Sequence, residues 1–278
     1  MNKILVPTDF SQNAANAVKF AYEFSKENNH KFSLLNIYNF VIYDPNMPPE
    51  ILADTIKQSS ENSSDGLDFL INEFEKTYPD FKNFLVDKIS EDGTIVDSIE
   101  RTARDGNYDF IIMGTKGASG LEEVLIGSNA YSVLSKSEIP VLVVPDKFQF
   151  KKLTKILYAV DLTCSELPAI KKFRESFDLK NRDITFLHLT EESDEKMGNN
   201  EKKYLDEIKE ALKDVSCKFE FAKCENVADA IEDFVSKLKI DLIVVSVKKR
   251  DFFENLFHKS ISKKLACHTD IPLLALHK

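Results

Sequence analysis

Short apolar runs alternate with amphipathic stretches along the first half of the chain. The runs predict five β-strands, at 2–8, 31–38, 82–89, 109–114 and 140–144. They are continuous runs, which is typical of strands covered on both faces of a parallel sheet. Between them, helical spacing predicts helices at 14–26, behind an N-cap at Ser11, and at 94–103. This alternation predicts a doubly wound α/β fold with helices on both faces of the sheet.

The second half of the chain repeats the same plan. The run from Lys3 to Asp9 recurs 152 positions later, at 155–161, and the strand at 108–113 recurs 132 positions later, at 240–245. The second copy is therefore shorter, and most of the difference falls in 41–78 of the first. We expect two domains, 1–146 and 153–278, each with a five-stranded, mainly parallel sheet. A length of 278 residues suits two domains of about 140.

Composition narrows the class of protein. The net charge of -9 argues against nucleic-acid binding, which depends on clustered Lys and Arg. The first apolar run is far shorter than a signal-peptide core, and no stretch approaches the roughly 20 apolar residues of a membrane span, so we expect a cytoplasmic protein. No metal site is expected, because none of the cysteines forms a CxxC pair: Cys164, Cys217, Cys224 and Cys267.

Glycine is concentrated after the predicted fourth strand. Four of the chain's eight glycines lie there, at Gly114, Gly117, Gly120 and Gly127. In open α/β sheets, ligands bind beyond the carboxyl ends of the strands where the strand order reverses, and this loop is one such place. Glycine permits positive φ and leaves room for a ligand at the main chain. The alternative is a tight turn before a capped helix, with glycines chosen only for backbone geometry.

A helix predicted at 128–135 follows this loop. Its free N–H groups and its dipole favour a phosphate, and the hydroxyl of Ser128 adds a donor. The amides expected to converge on the anion are those of Gly117, Gly127, Ser128 and Asn129. Lys116 either contacts a phosphate or is an ordinary exposed lysine.

The loop pattern is Gly114-x2-Gly117-x9-Gly127-Ser128. With the opening Val6-Pro7-Thr8-Asp9, it resembles the universal stress protein family over essentially the whole chain, twice. ATP-binding members of that family carry this Gly-x2-Gly-x9-Gly-Ser/Thr pattern. The resemblance implies a Rossmann-like fold of the adenine-nucleotide α-hydrolase type. It also implies a site for ATP, ADP or AMP, with or without Mg²⁺.

The resemblance also assigns roles to residues of the first half. The ribose and phosphates would be held by Gly114, Gly117, Gly127 and Ser128. Asp9 would lie beside the nucleoside and Ile37 would pack on adenine, while Pro7, Thr8 and Met113 complete the expected site. From the residues alone, Asp9 is equally suited to cap the next helix through amides near Asn13, and Ile37 is an ordinary packing residue.

In the resembled family the last strand of the sheet makes the dimer. Here two matched Ile-Pro strands, 139–144 and 271–276, occupy that position, and edge strands this apolar are seldom left open. The two halves are therefore expected to pair as an internal pseudo-dimer. Whether a further homodimer forms is left open by the sequence.

The second half departs from the glycine pattern. At the offset of 132, the four glycines are replaced by Ser246, Lys249, Phe252 and Lys259, while Ser260 and Asp161 match Ser128 and Asp9. Side chains at these positions would fill the space of a triphosphate, so no ATP is expected there. His188, at the end of a predicted strand, is expected to be packed or hydrogen-bonded.

These features predict a stress-response regulator that binds an adenine nucleotide in its first domain and is read by an unidentified protein partner. The alternatives are a nucleotide-independent interaction module and a slow ATPase. The loop lacks the Gly-Lys-Ser/Thr ending of a P-loop, and the spacing assembles no catalytic triad, so enzyme activity is the weakest of the three. The segment 41–78 is a candidate lid.

Overall fold

A computed structural model describes residues 2–38, 48–115, 127–163, 166–190, 198–247 and 271–277. In the first half the strands are β1 (Lys3–Pro7), β2 (Lys31–Tyr38), β3 (Leu85–Asp92), β4 (Phe110–Gly114) and β5 (Val141–Val144). The helices of this half are α1 (Gln12–Asn28), α2 (Pro49–Thr77), α3 (Ile95–Asp105) and α4 (Ser128–Lys136). None of the helices in the described ranges combines the length and apolar character needed to cross a membrane.

The second half repeats the order of strands and helices. Its strands are β6 (Lys155–Ala159), β7 (Asp183–Thr190), β8 (Cys217–Lys223), β9 (Leu242–Val247) and β10 (Leu273–His277). Its helices are α5 (Glu166–Ser176), α6 (Asn199–Ala211) and α7 (Val227–Leu238). The α/β fold predicted from the sequence is confirmed.

Local signals place most first-half elements correctly. The predicted Ser11 N-cap is confirmed, since its Oγ accepts a hydrogen bond from the Ala14 N–H at 3.2 Å. The third strand, predicted at 82–89, is shifted towards the carboxyl terminus. Residues Phe81–Asn83 form a short 3-10 turn that buries the Phe81 ring, so β3 begins only at Leu85.

All ten described strands form one sheet, in the order β3-β2-β1-β4-β5-β10-β9-β6-β7-β8. Neighbouring strands within each half are parallel. The halves meet where β5 pairs with β10 antiparallel, with Val143 opposite Leu273. The predicted pseudo-dimer is therefore confirmed, and the apolar edge of each half covers the other.

Helices cover both faces of this sheet. Strand residues alternate between the faces, so Ile4 and Val6 pack under α1 and α2, whereas Leu5 packs under α3 and α4. The helices α5 and α6 extend the first layer and α7 extends the second. Both hydrophobic clusters contain residues of both halves, so the halves share their core.

The segment 145–153 between the halves is packed against α1. The Asn16 side-chain amide donates to the carbonyls of Pro145 and Phe148, each at 3.0 Å. Phe148 is buried, with its ring 5.9 Å from that of Phe20. The connection is therefore attached to the first half.

Candidate functional site

The strand order reverses between β1 and β4. From β1 the chain builds outward through β2 to β3, whereas β4 is followed by β5 on the other side. Loops leave such a pair of strands in opposite directions, which opens a crevice beyond their carboxyl ends. Those residues expected to bind a nucleotide that the structure describes lie at this edge of the sheet.

The crevice between β1 and β4 begins unusually early. These strands pair only at Ile4–Phe110 and Leu5–Ile111. Pro7 has no N–H group to continue the ladder. In the second half, where Ala159 stands at the position of Pro7, the pairing of β6 with β9 continues to Ala159–Val245. The first half is therefore open two residues deeper than the second.

Pro7 and Met113 lie on the two walls of this crevice, each two residues beyond the last pair. Thr8 is buried and its N–H donates to the Leu35 carbonyl at 2.8 Å, which fixes the direction of the chain as it leaves β1. Asp9 is exposed, and its Oδ1 accepts a hydrogen bond from the Ser11 N–H at 3.1 Å. The capping role that the sequence left open for Asp9 thus belongs to Ser11.

The start of α4 is held against the end of β4. Gly114 pairs with Val144 in the sheet, and the Gly127 N–H donates to the Thr115 carbonyl at 2.6 Å. At Gly127 φ is -65° and ψ is 152°, a conformation open to any residue, so a left-handed backbone is not the reason for this glycine. The remaining reason for a glycine at position 127 is that it leaves room for a ligand beside the main chain.

No side chain caps α4 in the described structure, unlike α1. Ser128 and Asn129, in the first turn, are both exposed. The first N–H groups of a helix have no partner within it, and together with the helix dipole they form an anion site. The first N–H groups of α4 therefore have no side-chain cap among the described residues.

The remaining predicted residues divide into two groups. Ile37 is half-buried near the end of β2 and packs against the cluster that contains Leu35 and Met113, so its packing role is confirmed. Lys116 and Gly117 lie outside the described residues. The loop counterparts in the second half from Lys249 onward also lie outside them.

A chain of hydrogen bonds behind the crevice was missed by sequence reasoning. The Asn36 amide donates to the Thr8 carbonyl at 2.7 Å, and Asn36 Oδ1 accepts from the hydroxyl of Ser63 in α2, also at 2.7 Å. Ser90 of β3 donates to Ser63 Oγ at 2.7 Å. The only available signal was a polar residue, Asn36, in a strand otherwise apolar at that point.

His188 occupies the position of Asn36 in the second half. Its Nδ1 lies 3.0 Å from the Val160 carbonyl, the counterpart of Thr8, so Nδ1 carries the proton. The ring is buried, with Phe221 6.2 Å away. The expectation of a packed, hydrogen-bonded histidine is confirmed.

The second half has a buried polar contact near the end of β9. Ser246, at the position of Gly114, donates to Glu166 Oε1 at 2.6 Å in the interior. Burial raises the pKa of the neighbouring Tyr158 well above its usual range, and the Glu166 carboxyl adds to this shift. In the first half the positions of Tyr158 and Glu166 hold Val6 and Ala14, which carry no polar group.

Metal binding has no support in the described part of the chain. There, no three His, Cys, Asp or Glu side chains come together in a way that could hold a metal ion. Cys217 is a free thiol, and burial raises its pKa.

Comparison with known proteins identifies the family. The family model described as "Universal stress protein family" matches this chain twice, over residues 1–145 and 152–277. The chain belongs to the universal stress protein family. The tandem arrangement predicted from the internal repeat is confirmed by this double match.

Two curated universal stress proteins are similar to about half of the chain. YxiE of Bacillus subtilis is 30% identical over 149 residues, which span 51% of this chain and 98% of that protein. MJ0577 of Methanocaldococcus jannaschii is 30% identical over 159 residues, which span 52% of this chain and 95% of that protein. Each of these relatives therefore corresponds in length to about one half.

A solved universal stress protein matches both halves together. The crystal structure from Archaeoglobus fulgidus covers 100% of this chain and 96% of its own, with a TM-score of 0.70. At 18% identity this likeness concerns the fold alone. The same arrangement of two linked α/β halves thus occurs in another member of the family.

Proposed function

We propose that the first half of this universal stress protein binds ATP or another adenine nucleotide, and that binding regulates its interaction with a protein partner. The observation that carries the proposal is the early end of the β1–β4 ladder beside an uncapped helix. Pro7 leaves the strands unpaired beyond Leu5 and Ile111, and the start of α4 borders the gap. A crevice at a strand reversal with an anion site at its edge suits a nucleotide.

Each part of the nucleotide then has a partner. The phosphates bind the N–H groups at Gly127, Ser128 and Asn129, with Lys116 and Gly117 contributing from the preceding loop. The ribose lies near Gly114 and the carboxylate of Asp9. Adenine packs on Ile37 and Met113, which form an apolar surface at the ends of β2 and β4. The glycine pattern of the family's ATP-binding members supports this assignment.

We further propose that the second half binds no nucleotide. The strands β6 and β9 stay paired to the level at which the first half is open. The Ser246 hydroxyl and Glu166 carboxyl occupy the buried space behind them. Lysines replace two of the pattern's glycines, at Lys249 and Lys259.

The test is calorimetric titration with Mg²⁺ and ATP, using protein stripped of bound nucleotide. We expect one site per chain in the wild type and none in Gly117→Lys, which introduces the residue found at the counterpart position of the second half. Lys249→Ala, at that counterpart, is the matched control and should bind like the wild type. Binding that survives Gly117→Lys would contradict the proposed site.

The alternative functions predict different results in the same experiment. Absence of heat from the wild type, with no nucleotide released on denaturation, would favour a nucleotide-independent interaction module. Conversion of bound ATP to ADP within minutes would favour an ATPase. Bound ATP that stays intact for hours is the result expected of a regulator.

A further inference from the structure

Helix α2 touches the loop that follows β1. The ring of Phe10 lies directly over Gly66, in the middle of the helix: a Cβ built on Gly66 would be 2.6 Å from Phe10 Cζ and 2.8 Å from Cε2. Glycine is unfavourable inside a helix, because it adds backbone entropy to the unfolded chain. Its presence in α2 is explained by the space that the ring occupies.

The backbone of Phe10 is itself unusual. Its φ is 63°, a left-handed conformation that residues with a side chain seldom adopt. The Phe10 N–H donates to Thr8 Oγ1 at 3.1 Å, and the next N–H, of Ser11, donates to Asp9 Oδ1 at 3.1 Å. The turn that carries the ring to Gly66 therefore also orients the carboxylate of Asp9.

A second contact joins α2 to the same loop. Through Asn36, the Ser63 hydroxyl is connected to the carbonyl of Thr8. Ser63 and Gly66 are three positions apart, so they lie on neighbouring positions of the helix surface. One part of α2 is thus linked to the residues on both sides of Asp9, directly to Phe10 and through Asn36 to Thr8.

The second half lacks this arrangement. Leu162, the counterpart of Phe10, is 3% exposed and belongs to the core, whereas Phe10 is 40% exposed. The helix α6 begins only two residues before Glu201, which approaches His188 as Ser63 approaches Asn36. By contrast, α2 begins 14 residues before Ser63 (49 to 63), and from Glu50 to Asn62 it has no buried side chain.

We propose that Phe10 is a positioning residue, seated on Gly66 of α2 so that the position of α2 and the orientation of Asp9 at the nucleotide site are coupled. This inference rests on the proposed function, since Asp9 is there a nucleotide contact. In consequence, a partner that binds the exposed first part of α2 changes nucleotide affinity, and bound nucleotide holds α2 in place.

The test separates stability from binding. Alanine favours the helix more than glycine does, so the stability of the Gly66→Ala variant should equal or exceed that of the wild type. The new methyl group nevertheless displaces the Phe10 ring. ATP affinity should therefore fall about tenfold, which is equivalent to one charge-assisted hydrogen bond. Phe10→Ala should lose a similar factor. Asn62→Ala, an exposed α2 position one turn away, is the control and should bind ATP like the wild type.

The double variant gives the decisive comparison. Gly66→Ala and Phe10→Ala remove the same contact. The variant that carries both substitutions should therefore bind ATP no more weakly than either single variant. If the two losses of ATP affinity multiply in the double variant, the inference about Phe10 is overturned. It is also overturned if the single variants bind ATP like the wild type because the ring rotates away freely. Either result leaves the proposed function standing. Absence of ATP binding by the wild type would overturn the proposed function and this inference with it.

Discussion

Pro7 illustrates how one missing N–H group can shape a site. The β1–β4 and β6–β9 ladders start at matching residues, but only the one with Ala159 continues. Backbone groups at the end of β4 are thereby left to face the crevice. A single residue type thus distinguishes an open strand reversal from a closed one.

Pro7→Ala should close the crevice by supplying the missing donor. We expect ATP affinity to fall about tenfold or more, while the free energy of unfolding changes by no more than about 1 kcal/mol, since a hydrogen bond is gained as the rigidity of proline is lost. Titration and urea unfolding measure the two quantities. Protection of the residue-7 amide from hydrogen exchange would show that the new hydrogen bond has formed. If ATP affinity is unchanged in such a variant, the gap between β1 and β4 is not used for binding.

We expect His30 to make the stability of the protein depend on pH. The side chain is 9% exposed and borders a cavity of about 990 Å³ together with residues of the second half, such as Phe177. Burial lowers the pKa of the imidazole, and smaller effects of the Asn29 backbone and the Asp109 charge oppose this shift. In the unfolded chain the pKa is near 6.5. As the pH falls through this value the unfolded state binds a proton more readily than the folded one, so stability decreases.

His30→Gln should remove part of this acid sensitivity. Urea unfolding of both proteins at about pH 7.5 and about pH 5.5 gives the comparison, and the wild type should lose more stability between them. Equal losses in the two proteins would show that other groups carry the pH dependence.

At the scale of elements, much of the fold could be predicted because apolar runs and helical spacing are local properties. The strands β1, β2, β4 and β5 fall where their apolar runs predict them. The shift of β3 was not predictable from its run, because the start of the strand is set by the Phe81 ring, which packs against Tyr22 and Phe32 from other elements.

The candidate site was only partly predictable, for the same reason. The glycine pattern and the Val6-Pro7-Thr8-Asp9 sequence are each a continuous stretch of the chain, so each could be recognised as a motif. The contact of Phe10 with Gly66 joins residues 56 positions apart (10 to 66), and no helix was predicted around Gly66, so no local pattern indicates this contact. The buried contact of Ser246 with Glu166 likewise depends on packing between elements.

At the scale of the molecule, the two halves behave as one folded unit. The sheet is continuous through β5 and β10. The ring of Phe177, in the second half, packs on the rings of Phe24 and Phe110 in the first, with ring centroids 5.4 and 5.6 Å apart. His277 of β10 also bonds to the Leu134 carbonyl of α4. The helix at the candidate site is therefore in direct contact with the half that is not expected to bind nucleotide.

Val143→Lys should separate the halves. Val143 is 2% exposed opposite Leu273, so the variant places a charge inside the junction and should cost about 3 kcal/mol or more. We expect a single unfolding transition in the wild type and two transitions in Val143→Lys. The control is Val86→Lys on the outer strand β3, where the side chain is 53% exposed, and its effect should stay within about 0.5 kcal/mol. A single transition retained in Val143→Lys would contradict the shared core.

The proposed function requires that one half binds nucleotide and the other does not. Hydrogen exchange followed by mass spectrometry, with and without saturating ATP, can test this asymmetry because the two halves supply matched peptides. We expect ATP to slow exchange in 6–14 and 113–131 and to leave their counterparts, 158–166 and 245–263, unchanged. Equal protection of both sets, or protection confined to the second half, would contradict the account.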